Sequence, residues 1–371
     1  MTDTVLKSQE FSAATYNNAT QYIDIYKQGQ RRHTLRGVAV RVRKQQVSNV
    51  SLGSTTCIYV PRVTWLGDCY VLCKLPAGNW AKEVGGCVIK SFRIFSGGEL
   101  IQDINNYQTW VHYAKSNMDD EKRAKFESFL GGAATAGGAA AKVCCLPLPC
   151  FWSSFCRDNM QMSEPLCAGK LAPNGLKFEL ELNNGAFCSS DGAAANLVDS
   201  FELVFQQKMA EDDLRQRHLK APFQYQARDY RTLSSKAMAA AADTEIDASA
   251  LSGQVRSLHL HVLPSASKAA KDYFAEAPLS KLICRLDGED YKRLETQQEV
   301  EAEDFLNGHR DANRVDFTVA PKLNAVAGHL NTQRIRKLDL VLQTSLAAEC
   351  NILAVFDRKF FVDGSGVLRR T

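Results

Sequence analysis

The sequence predicts an all-β protein built from two β-sandwich domains in series. Short apolar segments alternate with polar residues, Gly, Pro or Asn separates these segments, and few helical segments lie between consecutive strands. Alternation with a period of two is typical of strands that bury one face. Closely spaced strands without intervening helices favour antiparallel sandwiches over βαβ units. A chain of 371 residues is long enough for two such domains, each with its own core.

The composition argues against several classes of protein. The net charge is only +4, and the Lys and Arg residues are interspersed with 41 acidic residues, whereas nucleic-acid binders usually concentrate basic residues in a patch. We therefore expect no specific nucleic-acid partner. The 12 cysteines include no CxxC pair, so the usual zinc and redox spacings are missing. The first residues lack the apolar region of a signal peptide, and we expect an intracellular protein with free thiols.

Residues 1–32 are polar and predict a loose N-terminal arm. Its mixture of aromatic and basic residues also fits an arm that becomes ordered against a partner or a membrane surface. The candidate contact residues of the arm are Tyr22, Lys27, Arg31 and Arg32.

The first predicted domain covers residues 33–231. Its first strand is HTLRGVAVRVRK at 33–44, where the valines are expected to face the core and the arginines the solvent. A further strand is predicted at 176–182, where LKFELEL alternates strictly between apolar and polar residues. The other strands are predicted at 56–60, 69–75, 88–95, 198–205 and 223–230, and a short helix at 209–219.

An inserted loop interrupts this domain at residues 106–142, and its first part, 106–130, is predicted to be helical. Aromatic residues recur there at helical spacing, and the Gly/Ala-rich text GGAATAGGAAAK that follows predicts an exposed loop.

The segment VCCLPLPCFWSSFCRD at 143–158 then combines prolines with large apolar side chains. Proline has no ladder donor, so such text is typical of a sheet edge or a rigid buried connector. The candidate core residues of this segment and the strand after it are Pro147, Pro149, Phe151, Trp152, Phe155, Leu176 and Phe178.

The Ala/Ser-rich residues 232–247 are predicted to be a linker, and residues 248–371 form the second predicted domain. Its strands are expected at 257–263, 335–342, 350–356 and 360–368.

Few residues suggest chemistry. His259 and His261 lie two apart on one strand and point to the same face, so they could form a metal pair. The alternating Leu258, Leu260 and Val262 are expected to face the core. This leaves the histidines on the solvent or interface side, and no third ligand is near in sequence. Cys144 and Cys145 could form a reactive thiol site, but no histidine is close in sequence. We therefore assign no catalytic, cofactor or metal site and do not expect an enzyme.

Several segments, taken together and in order, resemble the double jelly-roll major capsid proteins of icosahedral DNA viruses, a group that includes nucleocytoplasmic large DNA viruses and their polinton-like and virophage relatives. CCLPLPCFWSSFCRD at 144–158 is similar to the PLPFWF stretch of that family, with Cys150 and Ser153 where the family has aromatic residues. GHLNTQRIRKLDLVL at 328–342 is similar to its GxLNxSRID pattern. Further similar segments are 59–77, 84–104, 164–182, 199–218 and 356–369.

The resemblance implies two eight-stranded jelly rolls in tandem and a structural protein of the virion. Three copies would form a pseudo-hexagonal capsomer, and capsomers would tile a shell assembled in the host cell interior. The same resemblance implies minor capsid or penton proteins as partners, and an arm that faces the capsid interior, where an internal membrane is typical. The inserted segment is the expected subunit interface, with Tyr107, Trp110, Tyr113 and Phe126 as candidates.

Two other functions fit the same strand pattern. A minor capsid protein of the same kind of virus is one, although such proteins are usually single jelly rolls. A carbohydrate-binding β-sandwich protein is the other. The second would need exposed aromatic clusters or metal ligands in its loops, and the sequence shows neither.

Overall fold

The computed structural model describes residues 39–135, 141–153, 165–173, 175–209, 224–307, 313–318 and 329–370, together with positions 216 and 219. Within these residues the chain forms two jelly rolls in tandem, which confirms the predicted fold class. Each roll consists of two facing sheets whose strands bury alternate side chains between them. No helix in this described part is long and apolar enough to cross a membrane.

The first roll contains eight strands in two antiparallel sheets of order β1-β8-β3-β6 and β2-β7-β4-β5. The alternating text at 176–182 forms a strand with the predicted bounds, and its four leucine and phenylalanine side chains all point into the core. The strands are β1 (Ala39–Gln46), β2 (Thr55–Tyr59), β3 (Trp65–Leu75), β4 (Ile89–Ser96), β5 (Glu99–Ile104), β6 (Lys142–Pro147), β7 (Leu176–Leu182) and β8 (Ser200–Met209).

The second roll repeats this topology with the sheets β9-β18-β12-β15 and β11-β17-β13-β14. The strands are β9 (Gln224–Thr232), β10 (Lys236–Met238), β11 (Thr244–Asp247), β12 (Gln254–Pro264), β13 (Leu279–Leu286), β14 (Glu289–Leu294), β15 (Asn313–Asp316), β16 (Leu330–Asn331), β17 (Leu338–Thr344), β18 (Ala348–Val362) and β19 (Leu368–Arg370).

The helices lie in connections between strands. The predicted helical segment forms two helices, and each begins at a side chain that caps it: Asn106 accepts a hydrogen bond from the Thr109 amide, and Asp119 accepts one from the Lys122 amide. The predicted helix at 209–219 falls mostly outside the described residues. The helices are α1 (Val84–Val88), α2 (Tyr107–Ser116), α3 (Asp120–Phe129), α4 (Gly185–Cys188), α5 (Ser265–Ala269) and α6 (Gln297–Asn307), with 3₁₀ turns at Ala168–Lys170 and Thr332–Arg334.

The strand pairing corrects the predicted boundary between the two domains. Strand β9, predicted to end the first domain, pairs along its whole length with β18 and so belongs to the second roll. Residues 232–247, predicted to be a linker, contain β10 and β11, which pair with β18 and β17. These strands were not predicted because the Ala/Ser-rich sequence has no alternating apolar pattern. A short strand can be held by backbone hydrogen bonds without such a pattern.

A shared core joins the two rolls into one body. Strand β18 is buried on both faces: Ile352 and Ala354 face the core of the second roll, whereas Leu353 and Val355 pack with residues of the first roll. Sheet pairing also links the rolls, because Asp103 of β5 forms a parallel bridge with Arg231 of β9. The contact between the rolls therefore resembles the interior of a domain.

Substitution of Phe151 tests how much the contact between the rolls contributes to stability. Its ring is 2% exposed and stacks on Phe360 of the second roll at a centroid distance of 3.8 Å. Phe151→Ala should lower the free energy of unfolding by about 3–5 kcal/mol, the usual loss for a buried aromatic ring. The measurement is urea unfolding at one fixed protein concentration.

The matched control is Phe305→Ala, because the Phe305 side chain is 81% exposed. This control should change the unfolding free energy by less than about 0.5 kcal/mol. A loss below about 1 kcal/mol for Phe151→Ala would show that the ring does not join the rolls.

Candidate functional site

The segment 143–153 leads from a sheet edge into the contact between the rolls. Pro147 and Pro149 are buried, and Pro147 ends β6, which is an edge strand of its sheet in the described structure. The carbonyl oxygens of both prolines accept hydrogen bonds, from the Tyr107 hydroxyl at 2.6 Å and from Nε2 of Gln102 at 2.9 Å. The segment is thus both a sheet edge and a buried connector, because each proline sits where no ladder donor is required.

A hydrogen bond and ring packing hold the aromatic residues of this connector in place. Trp152 is fully buried, and its Nε1 donates a hydrogen bond to the Gly67 carbonyl at 2.9 Å. Its ring meets Phe151 edge-to-face and stacks over Phe178. Leu176 and Phe178 are also buried in the core, whereas Phe155 lies outside the described residues.

The four predicted interface residues lie inside the chain. All four are at most 4% exposed. The helix α2 carries Tyr107, Trp110 and Tyr113 into the contact between the rolls, and α3 carries Phe126. The ring of Tyr113 packs near Tyr230 of the second roll. These side chains therefore cannot form an exposed subunit surface. Helical spacing of large aromatic residues indicates burial but does not distinguish burial within one chain from burial between chains.

A buried ion-pair network holds the helical segment in place. Nζ of Lys115 lies 2.7 Å from a carboxylate oxygen of Glu83 and 2.8 Å from one of Glu127, and the lysine side chain is only 5% exposed. Burial raises the pKa of Glu83, and Lys115 partly opposes that shift. Burial would also raise the pKa of Glu127, but hydrogen bonds from Lys115 and Arg123 lower it overall. Losing the lysine would leave Glu83 buried without a compensating charge, which is costly.

The valines of strand β1 point away from the core, opposite to the predicted orientation. In register, Val40 pairs with Lys208 and Val42 with Gln206, on the side of β8 that points away from the core. Val40 is 55% exposed and Val42 is 61% exposed. The prediction that these valines face the core is therefore wrong, because β1 is an edge strand and its pairing with β8 sets which side faces in.

Two groups of apolar residues lie on the outside of the sheet β1-β8-β3-β6, and together we call them the outer face. The first group is Val40 and Val42 on β1, and the second is Tyr70, Leu72, Phe129 and Val143 at the end of α3. Phe129 is 57% exposed and Val143 is 64% exposed. A largely apolar groove of 480 Å³ runs between α3 and the strands β3 and β6. Exposed apolar residues grouped in this way commonly mark a protein–protein interface.

Charged residues lie among the apolar residues of the outer face. Glu202 of β8 is beside Leu72 in register and pairs with Lys44 of β1 at 3.7 Å. Lys74 of β3 pairs with Asp199 at 3.9 Å.

Cys144 and Cys145 do not form a reactive thiol pair. Burial raises the pKa of Cys144 to about 12 and that of Cys145 to about 11, so neither is a thiolate near neutral pH. Every cysteine that the structure describes is a free thiol. Cys144 therefore behaves as a buried apolar side chain, and Cys145 is half-buried beside it.

The two histidines of β12 are on the interface side, as the alternation of the strand predicts. Leu258 and Leu260 face the core of the second roll. His259 and His261 face α2 of the first roll, and both are at most 1% exposed. The residues that complete their surroundings come from distant parts of the chain, and no local pattern could have identified them.

The comparisons with known proteins agree with this architecture. No protein-family model matches the sequence, and no curated protein sequence matches it. The structure is similar to that of the PBCV-1 virus capsid, with a TM-score of 0.74, 14% identity and coverage of 90% of this chain and 96% of that one. It is also similar to the Faustovirus major capsid protein, with a TM-score of 0.68, 11% identity and coverage of 88% and 91%.

The mavirus major capsid protein has the same architecture at a TM-score of 0.54 and 11% identity, with coverage of 91% of this chain and 90% of that one. The chain thus has the double jelly-roll fold of viral major capsid proteins over nearly its whole length. The predicted resemblance is confirmed at the level of the fold.

Proposed function

We propose that the protein is a major capsid protein whose copies assemble into trimeric capsomers and then into an icosahedral virion shell. The observation that supports this most strongly is the joining of two equivalent rolls into one rigid body by a shared core. The structures that it resembles over 90% and 88% of its length are named as capsid proteins. A role in building a structure, rather than in catalysis, follows from this proposal.

The two-roll architecture suits a shell made from one kind of building block. Three chains related by a threefold axis bring six similar rolls into a ring, and the outline of that ring is nearly hexagonal. Hexagonal blocks can tile a surface with few gaps. The angle between the two rolls of each chain must be fixed for this, and the shared core fixes it.

The outer face is the surface that we assign to contact with a second copy of the chain. An edge strand that turns its valines outward leaves apolar area in water unless a partner covers it. The inserted segment contributes to this surface through Phe129 rather than through the buried residues of α2. A stable trimer contact would bury about 2,000 Å² or more, with an apolar centre of this type.

The first prediction of this proposal concerns oligomeric state. The purified full-length protein should have a mass near three times the 41.1 kDa chain in size-exclusion chromatography with light scattering. Val42→Glu places a charge within the outer face and should shift the protein to monomers, because an unpaired charge in an apolar interface is costly.

The control is Leu346→Glu, which changes a similarly exposed residue in the turn between β17 and β18 of the second roll. It should leave the trimer intact. A wild-type monomer would contradict the trimeric capsomer, and a trimer that survives Val42→Glu would remove the outer face from the contact.

The N-terminal arm is assigned to the inside of the shell. Its candidate residues Tyr22, Lys27, Arg31 and Arg32 lie outside the described residues, so the support is their aromatic and basic composition. We assign them to contact with minor capsid proteins or an internal membrane.

Deletion of residues 1–30 should leave trimers intact in light scattering and reduce the yield of closed particles in electron microscopy. The full-length protein is the control for both measurements. Normal particle yield from the truncated protein would contradict a role for the arm in assembly.

A further inference from the structure

We propose that His112, His261 and Glu276 bind a zinc ion that ties the first roll to the second. One nitrogen of each histidine and one carboxylate oxygen of Glu276 lie within 4.8 Å of one another. His112 belongs to α2 of the first roll, and His261 belongs to β12 of the second. Glu276 lies in the connection between β12 and β13. An ion held by all three residues would therefore bridge the two rolls.

The ligand atoms are within reach of one zinc ion after a local rearrangement. Nε2 of His112 lies 2.6 Å from Oε2 of Glu276. Zinc bonds of about 2.0–2.1 Å in a tetrahedral arrangement place ligand atoms about 3.3 Å apart, so this pair would open slightly on binding. The imidazole rings of His112 and His261 are stacked, with centroids 4.0 Å apart and planes at 16°. A metal lies in the plane of each imidazole that binds it, so one of the two rings would turn for both to bind the ion.

The hydrogen bonds around the cluster orient its ligands. Nδ1 of His112 lies 3.0 Å from Nε2 of His259. In the tautomer that carries the shared proton on Nδ1 of His112, the lone pair of this ring is on Nε2, beside Glu276. Nε2 of His261 donates to the Ala275 carbonyl at 3.2 Å, and its buried Nδ1 has no hydrogen-bond partner in the described structure. Asn313 donates to Oε1 of Glu276 at 2.7 Å. Second-shell contacts of this type are usual for metal-binding histidines and carboxylates.

The electrostatics of the cluster favour a cation. Two groups with lone pairs cannot lie 2.6 Å apart, as Nε2 of His112 and Oε2 of Glu276 do, without a proton or a cation between them.

An ion can reach the cluster from solvent. His112, Glu276 and Asn313 line a cavity of 590 Å³, and Glu301 and Asp304 add acidic side chains to its wall. The cavity leaves room for water as a fourth ligand, which is common when two histidines and one carboxylate hold zinc.

The donor set selects the class of metal. Imidazole nitrogens favour zinc and related transition metals, whereas calcium and magnesium require oxygen ligands. The 12 cysteines provide a competing source of metal-binding groups, so the experiment has to separate nitrogen and oxygen ligands from sulfur.

The test begins with the full-length protein stripped of metal with EDTA and dialysed. Titration calorimetry with Zn²⁺ should show one tight site per chain, and the melting temperature should rise with Zn²⁺ but not with Mg²⁺. Failure of the wild-type protein to bind Zn²⁺ would overturn the proposal.

The variant Glu276→Gln removes one ligand but preserves its size and its capacity to accept the hydrogen bond from Asn313. It should weaken Zn²⁺ binding by more than the 10–100-fold that loss of a second-shell partner costs. The control Glu245→Gln changes a glutamate whose side chain is 60% exposed and should bind as the wild type does. Equal Zn²⁺ affinity in Glu276→Gln and the wild type would overturn the assignment.

A measurement on the wild-type protein covers the case in which Glu276→Gln does not fold. Co²⁺ bound by imidazole and carboxylate should give visible ligand-field bands without a sulfur-to-cobalt charge-transfer band in the near ultraviolet. A strong charge-transfer band from the tight site would place the metal on cysteine and overturn the proposal. Because these readouts do not depend on particle assembly, they are separate from any test of the capsid function.

Discussion

The packing of the first roll against the second-roll sheet β9-β18-β12-β15 is the constraint on which the rest of the structure depends. That sheet buries apolar side chains on both faces: one face covers the core of its own roll, and the other meets α2 and the connector 143–153. The stack of Phe151 on Phe360 lies within this contact. Apolar burial on this scale favours one fixed arrangement, because close-packed interiors do not deform continuously.

This constraint explains where the polar residues of the contact lie. His259 and His261 occupy the face of β12 that a single sandwich would expose to solvent, and the helix α2 covers them instead. Buried polar groups require partners, so α2 supplies His112, and the loop after β12 supplies Glu276. The outer face of the first roll follows the opposite pattern, since Val40, Val42, Phe129 and Val143 are exposed within the described part of the chain. In our account a second copy provides that cover.

Segments with a regular apolar–polar alternation predicted the fold correctly. The strictly alternating residues of β7 gave its bounds, and the two-sandwich architecture followed from strand spacing. Strand β14 was missed because its sequence EDYKRL has no apolar alternation and its residues are mostly exposed. The orientation of β1 could not be predicted, because pairing register rather than pattern decides which side of an edge strand faces inward. The His112 cluster escaped prediction because 147 residues separate His112 from His259.

Electron microscopy of the purified full-length protein, with class averages of single particles, tests most directly whether two joined rolls form one third of a hexagonal building block. Our account predicts particles with threefold symmetry and six lobes of similar size, one for each jelly roll. Two-lobed particles at every protein concentration would contradict it, because they would show that the rigid pair of rolls does not assemble.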